Sequence, residues 1–596
     1  IGVFQVESRA QMGLLPRLQP RRFYDLVIEI ALIRPGPIQG GAVHPYVRRK
    51  LGKEEVTYAH PKLEPVLERT LGIPVFQEQL MQMGMAVGDL SGEDADVLRR
   101  AMGSKRGIER IESVREKLYA GMARNGLVGD AADDIYAKIQ AFANFGFAES
   151  HSLSFALLVY ASSWLKLHYP AAFLAALLRA QPMGFYSPSS LVADARRHGV
   201  RVLRPDLHAS RADATLEPLP PPPPPHSPVV ERGAAGAESK RPTPPPSPVV
   251  ERGAAGAESK RPAPPPSPVV ERGAAGAESK RPAAPPPSPV VERGAAGAES
   301  KRPTPPPSPV VERGAAGAES KRPDPTRPPT GRPSCADHRQ PPVAPFDPAA
   351  PDESAAHRRD GTFAVRLGLA SVTGVGAPLA ERIVATREAE GPFRDLRDLV
   401  RRTGATEAQV EALATAGAFE SMGISRREGL WLAGDAAKDR TEFLEGTLVA
   451  VQPPLFGDQS SYDILAADLW ATGISTDDHP LTHYRSQLDA RGVLTSRELR
   501  THEVGRRVEV AGLVTHRQRP ATASGITFLN IEDEHGLVNV VCSKGVWDRY
   551  RRVLRDSPAL IVRGMLERSP EGVTNLLADA FEDLRVGVRH RSRDFR

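Results

Sequence analysis

The sequence predicts a multidomain α+β protein: a mostly helical N-terminal region, a turn-and-helix module, a small C-terminal β-barrel, and a proline-rich insert with no core of its own. Three observations predict it. Apolar residues recur with helical period from Pro20 to about Gln181, they alternate with period two near the C-terminus, and between Ser227 and Pro323 the unit SPVVERGAAGAESKRP occurs five times. At 596 residues the chain is too long for a single core.

The helical region reads from its stripes. Leu63, Val66 and Leu67 begin one segment, Leu80, Met81, Met85 and Val87 mark the next, and Ile135, Ile139 and Phe142 another. Pro35, Pro37, Pro61 and Pro74 cut these segments into short helices and turns. Ahead of them, IGVFQVES reads as strand-like and as cut rather than begun.

The repeats start at Ser227, Ser247, Ser267, Ser288 and Ser308. Each offers only a Val-Val pair as bulky apolar material, so extended, disordered chain is expected rather than a solenoid. The insert interrupts one small unit, because ADATLEPL before it and GTFAVRLGLA after it both read as strands. Such a tether is tolerated because loop-closure entropy grows slowly with length. Beyond it, Val372 to Val384 reads as a turn followed by a helix, and Glu407 to Ala416 as a second helix. RRVEVAGLV, ITFLNIED, VNVVCS, ALIVRGML and VTNLLADAF are five strand candidates, with a helix from Gly545 to Leu554 between the third and fourth. That order matches an OB barrel.

The net charge of +6 is a weak guide to partners, since the five repeats carry +5 of it and the rest of the chain about +1. A nucleic-acid reading therefore rests on local clusters. The two cysteines, Cys335 and Cys542, imply a reducing compartment without a disulfide framework or a cysteine zinc site. No apolar run reaches the length of a membrane span; the nearest, Phe155 to Leu165, is interrupted by serines, and with no leader a cytoplasmic protein is expected.

In VLRRAMGSKR, the cations Arg99, Arg100, Lys105 and Arg106 fall within about three helical turns around Gly103, a density suited to a triphosphate or a phosphodiester backbone. Alone, such a cluster is more often a solvated helix face. Its surroundings change that. FQVESRAQM, RPGP, GIPVFQEQLMQ, LRRAMG and FGFAESHS resemble, in order and spacing, the fingers of the bacterial DNA polymerase III alpha-subunit family. The resemblance implies that Arg99 and Arg100 approach the incoming triphosphate, with Lys105 nearby, and that Phe145 and His151 line the nucleotide pocket. An imidazole beside the sugar suits exclusion of a 2′-hydroxyl; the bland reading of His151 is a buried, hydrogen-bonded helix cap. QPMGFY soon after WLKLHYPAAF is similar to the error-prone branch, as is an end soon after the OB strands, at SRDFR. That branch implies translesion DNA synthesis in damage-induced mutagenesis and repair.

VTGVGAPLAERIV resembles a helix-hairpin-helix, in which Gly374 and Gly376 permit a tight turn whose backbone N–H groups bind a DNA phosphate, with Arg382 and Arg387 on the following helix. QPPLF resembles the bacterial sliding-clamp pentapeptide, with Gln452, Leu455 and Phe456 as its contacts, although its two prolines depart from the usual centre. On the barrel, Phe528 is a candidate base-stacking ring, with Arg506, Arg507, Arg517 and Arg519 as backbone partners; a core position is the alternative for the ring.

Nucleotidyl transfer needs carboxylates that hold two metal ions. The resemblance places these as three palm aspartates upstream of FQVES, so Mg2+ is expected for the complete polymerase and none for this chain alone, and the N-terminal metallohydrolase-like domain of the family is not expected here. Asp94/Asp96 and Asp133/Asp134 lie in helical context and Asp477/Asp478 in a loop; Asp94 and Asp96 read as helix-start acids. The expected organisation is fingers with a palm remnant at 1–185, the end of the fingers at 186–216, the insert at 217–351, the hairpin module at 352–425, a connector with the clamp peptide at 426–500, the OB domain at 501–585 and a tail at 586–596. Primer-template DNA, deoxynucleoside triphosphates, a sliding clamp and accessory mutagenesis proteins are the implied partners, with no membrane. The rival reading is a non-catalytic DNA-binding or clamp-associated protein derived from a polymerase.

Overall fold

A computed structural model describes residues 1–33, 43–102, 107–142, 147–184, 186–220, 347, 350, 353–438, 457, 459–520, 525–588 and 592–595. The chain opens without a strand. Gly2 and Gln5 take left-handed φ of 79° and 72°, which breaks the alternation that IGVFQVES suggests, and Ser8 instead caps helix α1 (Arg9–Leu18). Helices α2 (Phe23–Leu32), α3 (Val43–Lys50), α4 (Gln77–Gly88), α5 (Gly92–Ala101), α6 (Gly107–Ser113), α7 (Arg115–Arg124), α8 (Asp130–Ala141), α9 (Glu149–His168), α10 (Pro170–Arg179) and α11 (Pro188–Arg197) follow.

Two cores hold α1 to α9 among the described residues, and Leu174, Leu191 and Val192 of α10 and α11 belong to a third. Leu18, Ile28, Phe76, Ala156 and Val159 join α1, α2 and α9, and Ser152 Oγ of α9 donates to the Val27 carbonyl of α2 at 2.6 Å. Leu80, Met83, Val87, Leu98, Leu118 and Ile139 form the second. The stripe of α4 is thus Leu80, Met83 and Val87, one turn apart, while Met85 points to solvent. Gln79 explains the GIPVFQEQ segment locally. Its buried Oε1 accepts from the Val75 and Phe76 N–H groups at 2.9 and 3.1 Å, and its Nε2 donates to Thr70 Oγ1 at 2.8 Å. Helices α4 and α7 cross at Gly88 and Gly121, where a Cβ on Gly121 would stand 1.9 Å from the Gly88 carbonyl oxygen.

Strands β1 (Val202–Leu203), β2 (Thr215–Pro218) and β3 (Phe363–Arg366) form a sheet in the order β1-β3-β2. β2 and β3 are antiparallel, with Thr215 opposite Arg366 and Pro218 opposite Phe363, so the chain leaves for the insert and returns from it on adjacent strands. Arg366 grips Glu217 across the pair with two contacts of 2.6 and 2.7 Å. The described residues on the two sides of the insert belong to one compact unit.

Next come α12 (Gly376–Glu390), α13 (Leu396–Thr403), α14 (Glu407–Thr415), α15 (Arg426–Ala436) and α16 (Ser461–Ala471). Their core of Leu379, Ile383, Leu399, Leu413 and Phe419 also takes in Leu207 from before the insert and Ala471 from α16. The buried Asp468 of α16 accepts from Arg204 at 3.1 Å and Arg426 at 2.5 Å, tying those same segments together.

The barrel consists of β4 (Arg507–Gln518), β5 (Thr527–Glu532), β6 (Leu537–Cys542), helix α17 (Lys544–Asp556), β7 (Ala559–Arg568) and β8 (Thr574–Asp583), with β9 (Arg593–Phe595) added from the tail. The order is β5-β6-β8-β7-β4-β9, and β4 also pairs with β5, closing the sheet. The five strand candidates and the intervening helix are all present. The register shifts between Val514 and His516 and between Arg563 and Gly564, the bends that closure requires. A Cβ on Gly564 would lie 2.3 Å from the Leu577 oxygen. Val510, Leu529, Ile531, Val540, Val562 and Leu576 fill the interior. Cys542 is buried there as a free thiol, and burial pushes its pKa up to about 12. No helix among the described residues is long and apolar enough to cross a membrane.

Candidate nucleotide and nucleic-acid sites

Helix α5 starts at Ser91, whose Oγ accepts from the Asp94 N–H at 3.2 Å while Asp94 Oδ2 accepts from the Ser91 N–H at 2.8 Å, a reciprocal cap. Asp94 also pairs with Lys117, and these bonds, the lysine's first, hold its pKa down to about 2. Asp94 is therefore a helix-start acid. Asp96 has another partner set: Oδ1 accepts from Arg99 at 2.7 Å and Oδ2 accepts from Arg100 at 2.7 Å. Both guanidiniums remain open to solvent, 50% and 68% exposed. The opposite face buries Ala95, Leu98 and Ala101. Arg110 Nη1 donates to the Arg100 carbonyl at 2.8 Å, closing the C-terminal turn. The arrangement presents two guanidiniums against one carboxylate, leaving net positive charge for an anion. Lys105 lies outside the described residues.

His151 sits in the first turn of α9, which is anchored by Tyr24 Oη donating to Glu149 at 2.5 Å and by the Glu149 N–H donating to Glu78 at 3.0 Å. The imidazole is exposed and edge-on to Phe147 and Phe155, with centroids 5.2 and 4.5 Å away, and Phe4 continues the row at 5.5 Å from Phe155. This is an open aromatic face rather than a buried cap. Phe145 lies outside the described residues. Among those described, no hydrogen bond or ring contact joins His151 to Arg99 or Arg100.

At the hairpin, Gly374 and Gly376 have φ of 89° and 68°, conformations that favour glycine. Both face solvent, with no atom within 4 Å of a Cβ at Gly374 and Pro378 Cδ alone at 3.8 Å from one at Gly376. The turn opens directly into α12, so backbone donors at a helix start face outward. Arg382 is exposed but commits Nε to the Thr403 carbonyl at 2.7 Å. Arg387 turns inward, where Nη1 donates to the Leu207 carbonyl at 2.6 Å.

On the barrel, Phe528 alternates with the core residues Thr527 and Leu529 and so faces outward, half-buried beneath Arg9 of α1. The Arg9 guanidinium lies 4.7 Å from the Phe528 ring centre, and Nη1 donates to the Leu529 carbonyl at 3.2 Å and to Asn530 Oδ1 at 3.1 Å. Arg506 is exposed and pairs with Glu503 at 2.9 Å; Arg507 and Arg563 share Asp579 at 2.9 and 2.8 Å. Arg519 rests 5.6 Å over Trp547. Arg517 corrects the sequence reading. It is buried, donates to the Leu554 and Ser557 carbonyls at 2.6 and 2.8 Å and contacts Ser592 and Asp594, so it fastens α17 and the tail to the barrel instead of facing a strand of DNA. Arg9, Asn530 and the Arg197–Glu532 pair escaped the sequence reading; the signal for Arg9 was its place in FQVESRAQM.

Gln452, Leu455 and Phe456 lie outside the described residues. Among the described residues no group of three or more His, Cys, Asp or Glu side chains is placed to hold a metal ion. The acids beside the basic helix are taken by Lys117, Arg99 and Arg100. These side chains do not fit a two-metal centre.

Comparison with known proteins agrees with this architecture. The bacterial DNA polymerase III alpha subunit finger domain matches residues 1–126, the helix-hairpin-helix motif residues 346–429, and the OB-fold nucleic acid binding domain residues 508–584. Error-prone DNA polymerase of Cutibacterium acnes is 49% identical over 597 residues, covering all of this chain and 44% of the relative; that of Nocardia farcinica is 44% identical, with 40% of the relative covered. The Mycobacterium tuberculosis H37Rv protein of the same name is 43% identical, with 41% covered. The chain thus spans less than half the length of these relatives. Along its whole length the chain is similar to bacterial error-prone DNA polymerases at 40–49% identity, and it carries the finger, hairpin and barrel domains in that order.

Proposed function

We propose that this chain supplies the incoming-nucleotide and DNA-binding part of a DNA-directed DNA polymerase of the translesion type, acting in damage-induced mutagenesis and repair synthesis. The observation that carries the reading is the pair Arg99 and Arg100, exposed at the end of α5 and gathered by the single carboxylate of Asp96 within the matched finger domain. A triphosphate offers more charge and more acceptor oxygens than Asp96 does, so it draws both arginines away by charge-assisted, bidentate contact. His151 in its aromatic row contributes a wall against the sugar, with Phe145 and Lys105 completing the nucleotide site.

The hairpin glycines hold a duplex phosphate without reading sequence, and the barrel tracks a single strand. Gln452, Leu455 and Phe456 remain the proposed clamp contact, and accessory mutagenesis proteins the proposed further partners. The described carboxylates do not form a metal centre, so no step through Mg2+ is assigned to them; the reading places the metal-holding aspartates in the palm that precedes FQVES in the family. The test is nucleotide-incorporation kinetics in a complete polymerase bearing Arg99→Ala and Arg100→Ala. A raised KM for the incoming nucleotide is expected, and an unchanged KM and kcat removes the assigned role.

A further inference from the structure

Between α1 and the outer face of the barrel lies a cleft of about 1000 Å³, large beside ordinary ligand pockets of roughly 300–1,000 Å³. Its walls include Arg9, Met12 and Arg17 of α1 and Phe528, Asn530 and Asn539 of the barrel, with Arg500 also lining it. Arg17 and Arg500 are exposed and, among the described residues, paired with no acid. Arg9 is anchored at one end only: Nη1 is held by the barrel, the guanidinium lies over Phe528, and Nη2 is shut from solvent without a hydrogen-bond partner. A buried charged donor left unpaired is costly. Burial lowers the Arg9 pKa to about 10, which leaves the group charged at neutral pH.

We infer that this cleft binds single-stranded nucleic acid at a composite site in which the fingers supply Arg9 as a strand-binding residue beside the barrel's Phe528. The inference rests on the DNA-binding reading above and deepens it by naming a residue and a joint surface. Three features select a single strand. The rim cations Arg17 and Arg500 suit phosphates, the half-exposed Phe528 ring and the Asn539 amide suit unstacked bases, and the Arg9 guanidinium on the cleft wall adds positive charge for the strand. Because Arg9 belongs to the fingers and Phe528 to the barrel, strand binding then holds the two regions together.

The test is fluorescence anisotropy of a labelled oligothymidylate of about 12 nucleotides against the whole chain, across a salt series. Arg9→Ala is expected to weaken binding about tenfold and to reduce the salt slope by about 0.7, the value for one lost single-strand phosphate contact. Arg9→Lys is expected to recover the slope but only part of the affinity, since it keeps charge without the planar fork. Arg17→Ala with Arg500→Ala, both exposed and harmless to folding, is expected to weaken binding several-fold, so the inference stays testable if Arg9→Ala misfolds. Binding by Arg9→Ala equal to or tighter than the parent chain, with the parent binding well, overturns the inference and marks Arg9 as a lock over Phe528. Unchanged binding by the Arg17/Arg500 variant overturns it too. No binding of any DNA, single- or double-stranded, by the parent chain overturns the DNA-binding reading itself.

Discussion

Arg197 Nη1 lies 2.9 Å from Glu532 Oε1, joining α11 to barrel strand β5 across a buried contact. Burial pushes the Glu532 pKa up to about 7 despite the pairing, so desolvation outweighs the attraction of Arg197. A carboxyl whose pKa is raised on folding favours the folded state most below its unfolded value, near 4.5, and loses that contribution as pH rises through about 7. Glu532→Gln is therefore expected to flatten the fall in thermal stability between about pH 5 and pH 8. A parallel fall in both proteins, measured by melting at matched ionic strength, contradicts this.

Glu29 gives a simpler case. It is fully buried on α2, neither carboxylate oxygen has a hydrogen-bond partner, and burial raises its pKa to about 8. The same sign applies: its ionisation destabilises the fold progressively as pH climbs from about 4.5 to about 8. Glu29→Gln should match or slightly trail the parent at pH 5 and exceed it by several degrees at pH 9. Denaturation curves at the two pH values check the crossing.

On the proposed reading, Asp96 competes with phosphate for Arg99 and Arg100. Asp96→Asn is expected to leave the melting temperature nearly unchanged, since exposed pairs contribute little, while tightening nucleotide binding several-fold in a complete polymerase. The charge-reversed expectation, Arg99→Ala plus Arg100→Ala, loses it. Equilibrium titration with a deoxynucleoside triphosphate separates the two effects.

Gly121 tests the crossing of α4 and α7. A methyl group there would meet the Gly88 oxygen at 1.9 Å, so Gly121→Ala should cost at least the ~1–3 kcal/mol of overpacking. Gly545→Ala on α17, with no atom within 4 Å, should be neutral or stabilising by a few tenths of a kcal/mol. Urea denaturation measures both. At the hairpin, Gly374→Ala plus Gly376→Ala should lower duplex affinity equally for unrelated sequences, because backbone rather than base contacts are lost.

Much of this was legible in the sequence for definite reasons. The barrel strands announce themselves because a half-buried strand must alternate, and the pairing of Thr215–Pro218 with Phe363–Arg366 follows from two strand patterns on either side of a repeat whose only bulky apolar residues are Val-Val pairs. The hairpin glycines were legible because so few residues tolerate φ near 89° and 68°. Direction was not legible. Arg387 and Arg517 lie among other cations, yet each turns inward to satisfy carbonyls at helix and loop ends, a choice set by tertiary neighbours that composition does not encode. Likewise the pattern marks Met81 and Met85 on the α4 stripe, whereas the packed core takes Met83 and leaves Met85 exposed. Arg9 was invisible as a barrel contact because its partners, Leu529 and Asn530, stand more than 500 residues away in the chain.

On the proposed reading these residues bind nucleotide and DNA while the metal-dependent chemistry resides in the palm. Primer extension by this 596-residue chain with Mg2+ and all four deoxynucleoside triphosphates tests it most directly, with primer-template binding followed in the same samples. The expected result is bound primer-template with no added nucleotide. Template-directed extension by this chain, abolished by chelation of the metal, would contradict the account.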